Sequence, residues 1–205
     1  MSLPAFYAKA PRMVVHDALA EFLGASDGGL LEYGYADVVR LAGHSCPTVA
    51  GAWLMACAAL RALYPDGPAE RGDIEVTMYG GEDEGTTGVI AQVFTLLTGA
   101  AAKNGFHGLG GRFRRHGLLR YVPDGPRPAI ARVSRRDNGA AVEVSMDMSP
   151  VPAAPDMRAL LMRAMAPGAS SQDRTAFAGV WRERVERLLL EHADDPAVIQ
   201  VRRLG

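Results

Sequence analysis

Pro47-Thr48-Val49-Ala50-Gly51-Ala52-Trp53-Leu54-Met55-Ala56-Cys57-Ala58-Ala59-Leu60-Arg61-Ala62-Leu63-Tyr64 reads as the clearest helix of the chain. Val49, Trp53, Ala56, Cys57, Leu60 and Leu63 recur near helical spacing in a background of Ala, Leu and Met. Pro47 stands at the first helical position, where its missing N–H would have had no intrahelical partner. Tyr64-Pro65-Asp66-Gly67 stops the helix. Immediately downstream, Gly72-Asp73-Ile74-Glu75-Val76-Thr77-Met78-Tyr79 alternates apolar and polar residues, so a strand with one buried face is expected. A long apolar helix beside an alternating strand points to an α+β fold.

Working outward, helical periodicity returns over Thr86 to Leu97, with Glu82-Asp83-Glu84 just upstream, where the positive end of the helix dipole favours acidic groups. Thr98-Gly99 ends that helix, and a glycine-rich stretch from Lys103 to Gly117 carries His107 and His116. Strands are expected over Ile130 to Ser134 and Ala141 to Met146, joined through Asn138-Gly139, the strongest short hairpin signal present. After a proline-rich linker at Ser149 to Pro155, two helices read over Asp156 to Met165 and Ser171 to His192, and Val198 to Val201 suits a last strand. Upstream, Leu30 to Tyr35 reads as a short strand, preceded by an arm with apolar periodicity around Val14, Leu19, Phe22 and Leu23. The expected architecture is a central antiparallel or mixed sheet of the 72–79, 129–134 and 140–147 strands with packed helices. Residues 1–26 form an N-terminal arm, 27–148 the α+β core, and 149–205 a helical C-terminal extension.

A chain of 205 residues with 48% hydrophobic and 22% charged residues can bury one sizeable core without disulfides. The formal net charge of -1 provides no electrostatic case for nucleic acid or an anionic membrane. Arginine is nevertheless clustered at Arg112, Arg114, Arg115 and Arg120, and again at Arg132, Arg135 and Arg136; such clusters read as a solvated face or as a docking patch. Cys46 and Cys57 are the sole cysteines, and about 16 Å of helix between them excludes a mutual disulfide. With neither a signal-peptide layout nor a long uncharged apolar run, a cytoplasmic location is expected.

The stretch richest in chemistry is Gly43-His44-Ser45-Cys46-Pro47. Cys46 falls at or beside the N-cap of the strong helix, where free backbone N–H groups and the dipole stabilise a thiolate. His44, two residues earlier, can aim an imidazole at the same spot. One nitrogen and one soft sulfur donor suit Zn2+ or another divalent transition metal. The plainer alternatives are a small capping cysteine beside a loop histidine, or a metal-free thiolate nucleophile. A third ligand would come from His16 first, from His107 second, or from Asp83 or Glu84; the last three also qualify as acid–base groups beside a metal-bound water. Cys57, flanked by Ala56 and Ala58 inside the helix, reads as core.

With Ala50-Gly51 opening the helix that follows, Gly43 to Pro47 resembles the His-Gly-His-x-Cys-Pro region of the FmdE family, named for a protein encoded with formylmethanofuran dehydrogenase. Gln92, Thr98-Gly99 and Lys103-Asn104-Gly105 loosely follow later family features, and the resemblance spans roughly Tyr35 to Tyr121. Ala42 replaces the first motif histidine, Gly80 to Gly85 lacks the family's cysteine, and no cysteine follows Cys57 to build a C-terminal zinc finger. The resemblance therefore implies a divergent metal-binding member acting on a small molecule, or a non-catalytic accessory of a redox enzyme. A homodimer is expected by the same analogy.

Overall fold

The computed structural model describes residues 3–126 and 130–205. Met1 and Ser2 of the expected arm, and Ala129 at the start of the expected 129–134 strand, lie outside the described residues. The elements run β1 (Met13–His16), α1 (Ala18–Phe22), β2 (Leu30–Tyr33), α2 (Tyr35–Ala42), α3 (Pro47–Leu63), β3 (Ala69–Glu70) and β4 (Ile74–Met78). They continue through α4 (Thr87–Thr98), β5 (Leu119–Tyr121), β6 (Ala131–Arg135), β7 (Ala141–Met146), α5 (Met157–Met165), α6 (Ser171–Leu190) and β8 (Ile199–Leu204).

The five-stranded sheet has the order β5-β4-β6-β7-β8 and is mixed: β5 runs parallel to β4, and the other neighbours are antiparallel. Its centre is the expected trio. Ile74, Val76 and Met78 are buried while Glu75 and Thr77 alternate to the other face, as a half-buried strand requires. Between β6 and β7, Gly139 takes φ 75° and the Asn138 Oδ1 accepts the Ala140 N–H at 2.9 Å, which closes the hairpin. α3 packs against β7 and β8 on one side and against α2, α4 and α6 on others. That enclosure explains why Val49 through Leu60 is apolar almost all round: a helix buried on every face needs no polar stripe.

The leading segment is more ordered than its sequence announced. Within the arm, expected as an apolar-periodic stretch around Val14, Leu19, Phe22 and Leu23, Met13–His16 is a strand, paired antiparallel with β2 and parallel with β3. Val14 and Val15 are β-branched, and Val15 is fully buried between its two neighbours. Phe6, Tyr7 and Tyr35 stack edge-to-face at 4.7 and 4.9 Å, and Phe6 and Tyr7 belong to one hydrophobic cluster with Val185, Leu188 and Leu189 of α6. Tyr35, read as the end of a strand, instead opens α2: the Asp37 carboxylate accepts the Gly34 N–H at 2.9 Å and Gly43 closes the helix at φ 72°.

Arg115 departs furthest from expectation. It is 8% exposed rather than part of a basic surface. Its Nη2 donates to Asp17 Oδ1 at 2.6 Å and its Nη1 to the Arg71 carbonyl at 2.8 Å, while Arg71 Nη1 donates to Asp17 Oδ2 at 2.6 Å. Asp17 also caps α1 by accepting from the Leu19 and Ala20 N–H groups. Among the described residues, no helix is long and apolar enough to cross a membrane.

Candidate functional site

Cys46 is the N-cap of α3. Its Sγ accepts the Val49 N–H at 3.4 Å, and Pro47 occupies the first helical position as expected. The turn is clamped from two directions. The Ser45 hydroxyl and the Tyr35 phenol lie 2.8 Å apart, and the Trp181 indole N–H of α6 donates to the Ser45 carbonyl at 2.9 Å. Burial pushes the Tyr35 phenol well above its ordinary value, so it stays protonated. Cys46 is half-buried, and His44 is exposed, its Nδ1 3.0 Å from the Ala42 carbonyl. That contact favours the tautomer with hydrogen on Nδ1, leaving the Nε2 lone pair for another partner.

His16 stands elsewhere, at the end of β1. Its Nδ1 sits 2.8 Å from Glu70 Oε2 and its Nε2 3.4 Å from Glu21. The Glu70 hydrogen bond, working against burial, raises its pKa above the ordinary imidazole value. Among the described residues, no three His, Cys, Asp or Glu side chains form a group that could hold a metal ion. His44, Cys46 and His16 are therefore not gathered into one ligand set. Asp83 and Glu84 are exposed, and Glu84 Oε2 accepts the Gly81 N–H at 2.9 Å within its own turn. His107 is exposed and stacked on His116 with ring centroids 4.2 Å apart.

A cleft that the sequence did not announce lies beside α4. Two adjoining open cavities of about 550 and 680 Å3 share Glu82, Ala102, Asn104, Leu119 and Tyr121. Gly88, Gln92 and Thr95, spaced to share one helical face, line the first, together with Arg71; Lys103, Gly117 and Arg120 belong to the second. Local hydrogen bonds build the opposite wall. Gly99 ends α4 at φ 70°, and the Gly117, Leu118 and Leu119 N–H groups then donate to the Ala102 and Ala101 carbonyls, which ties Ala101–Asn104 against β5. Burial, with the Glu82 charge adding to it, raises the Tyr121 phenol pKa. The cleft thus offers a protonated phenol, a carboxylate, two amides and cationic groups: a set suited to holding a polar molecule by hydrogen bonds.

Neither cavity is lined by Asp83, Glu84 or His107; Glu82 is the acidic neighbour that faces the cleft. Of the cleft residues, Glu82 was marked by its place in the acidic run ahead of α4, and Gln92 and Asn104 by the family resemblance. Arg71 and Tyr121 had no such mark.

No family model matches the chain, and no curated protein matches it. Among solved structures, it is similar to the crystal structure of a tungsten formylmethanofuran dehydrogenase FmdE-like protein from Syntrophus aciditrophicus. The two are 18% identical with a TM-score of 0.44, over 84% of this chain and 73% of that one.

The two cysteines are expected to differ sharply in reactivity. Cys57 is 1% exposed, and burial pushes its thiol up to about 12, whereas Cys46 is half-buried at a helix start. Iodoacetamide on the native protein should label Cys46 alone, with Cys57 reacting only after denaturation; peptide mass spectrometry reads both. Labelling of Cys57 at the native rate of Cys46 would contradict this packing.

Proposed function

We propose that the protein binds a small polar molecule in the cleft between α4, Ala101–Asn104 and β5. The observation that carries this reading is the pair of adjoining cavities with Glu82, Asn104 and Tyr121 in common, polar groups converging on space large enough for a metabolite. A fragment screen on 15N-labelled protein tests it. Binding fragments should shift the amides of Gly88, Gln92, Thr95, Asn104 and Tyr121 together. Hits that cluster elsewhere while these amides stay unmoved refute the reading.

A second reading is a metal site at the His44–Cys46 turn, with zinc or another divalent transition metal. It is favoured by the Nδ1 contact to Ala42, which frees Nε2, and by the sulfur at a helix start. The pair supplies half of a tetrahedral set, so further ligands must come from outside it. The sequence resemblance around Cys46 supports the same reading and extends it to an accessory role beside a larger redox enzyme. Elemental analysis of wild type and Cys46→Ser decides. Wild type should carry the metal and the variant lose it, with added zinc slowing alkylation of Cys46. Metal-free wild type whose Cys46 alkylates undiminished in excess zinc removes this reading.

A further inference from the structure

The cleft's charge is set beneath it. Two guanidinium groups, Arg71 and Arg115, meet one carboxylate, Asp17, with each ion pair at 2.6 Å and side-chain exposures of 20%, 10% and 3%. Arginine stays ionised in proteins, so this buried trio retains one positive charge beyond what Asp17 neutralises. Arg71 lines the first cavity. Its Nη1 is held by Asp17 and its Nε donates to the Leu96 carbonyl at 3.1 Å, which leaves Nη2 for an occupant of the cavity. Such a guanidinium is pre-oriented on two of its three nitrogens, so little side-chain freedom remains to be lost on binding. Among the described residues, Glu82 is the one acidic side chain lining the same cavity, and Gln92 and Asn104 line it as well.

We infer that the cleft takes a small carboxylate-bearing molecule, its carboxylate on Arg71 and a hydrogen-bond-donating group, hydroxyl, amide or ammonium, toward Glu82. This rests on the cleft being a binding site. A residual positive charge on one wall and a lone carboxylate among the lining groups select a ligand of opposite polarity at its two ends. A purely anionic ligand would meet Glu82 as a repulsion, and a purely neutral one would leave the trio's one excess positive charge uncompensated.

The test uses the full chain and a panel of short hydroxy- and amino-carboxylates, each paired with its primary amide, with inorganic phosphate as a separate arm. Binding is followed by 15N amide shifts and calorimetry. The carboxylates should bind with shifts at the cleft and each amide should bind roughly tenfold or more weaker, the loss expected for a charge-assisted hydrogen bond. Arg71→Gln should abolish the distinction. Because Arg71 also supports Asp17, Glu82→Gln serves as the second variant: it leaves the buried trio untouched and should weaken the amino-carboxylates several-fold. Equal binding of acid and amide, or phosphate binding as tightly as the best carboxylate, overturns the inference. Neutral fragments mapping to the cleft while no carboxylate does so overturns it and leaves the cleft reading standing; a cleft that answers to neither class removes both.

Discussion

Asp17→Ala is expected to destabilise the protein by roughly 3–5 kcal/mol, the usual cost of removing one partner from a buried ion pair. Asp17 is 2% exposed and accepts from Arg71, Arg115 and two α1 backbone N–H groups, so the variant strands two guanidinium groups and uncaps a helix at once. For a chain of this size the melting temperature should fall by roughly 6–20 °C. Asp17→Asn separates the two losses, because its amide oxygen can still cap α1 but brings no charge to the arginines. The pH dependence has a definite sign. Burial raises the Asp17 carboxyl, yet the Arg71 hydrogen bond and the Arg115 charge outweigh it and hold the pKa below the ordinary value. A group depressed in the folded state contributes its stability above the unfolded pKa and loses it as pH falls through the folded one. The gap between wild type and Asp17→Ala should therefore be full above about pH 4 and shrink in more acidic solution. Urea denaturation followed by circular dichroism across that range measures it; a gap under about 1 kcal/mol at pH 7 would show that Arg71 and Arg115 lose their carboxylate without the cost of a stranded buried charge.

Gly72→Ala is expected to be comparably damaging, for a reason visible only in three dimensions. Gly72 has φ 93°, and a Cβ built there would lie 0.7 Å from Arg115 Nη1 and 1.9 Å from its Cζ. The backbone strain amounts to about 1–3 kcal/mol, and expelling the guanidinium from Asp17 and the Arg71 carbonyl brings the total to roughly 3–5 kcal/mol. Gly139→Ala is the control. Gly139 has φ 75° with no atom within 4 Å of the added Cβ, so it carries the strain without the displacement and should cost about 1–2 kcal/mol. Because Asp17→Ala and Gly72→Ala dismantle the same trio, the double variant should fall short of additivity by roughly 1 kcal/mol or more. Full additivity would mean that Arg115 finds another place without loss.

Both substitutions act at residues whose importance was invisible in the linear chain. Arg115 looked like one more member of a basic cluster with Arg112 and Arg114, because nothing nearby in sequence contradicts that. Its partner Asp17 is 98 residues away, and the Asp17–Arg71 pair spans 54. The candidate site divides the same way. Cys46 at the start of α3 was legible because capping is local: a proline next to it and an apolar periodic run after it define the position. His16 as a companion ligand rested on bringing two distant segments together, and β-pairing instead set it against Glu70.

Local chemistry sufficed to place α3, α4, α6, the β6–β7 hairpin and the alternation of β4, since each depends on residues within a turn or two of one another. The short strands β1, β3 and β5 and the helix α2 escaped, being held by partners that arrive from elsewhere in the chain. The cleft escaped for the same reason. Arg71, Glu82, Gln92, Asn104 and Tyr121 come from a loop, a turn, a helix, a glycine-rich segment and a strand, and become neighbours only when the sheet and α4 close around them. Periodicity and capping are short-range forces written in adjacent residues, whereas charge pairing and concavity belong to the folded chain.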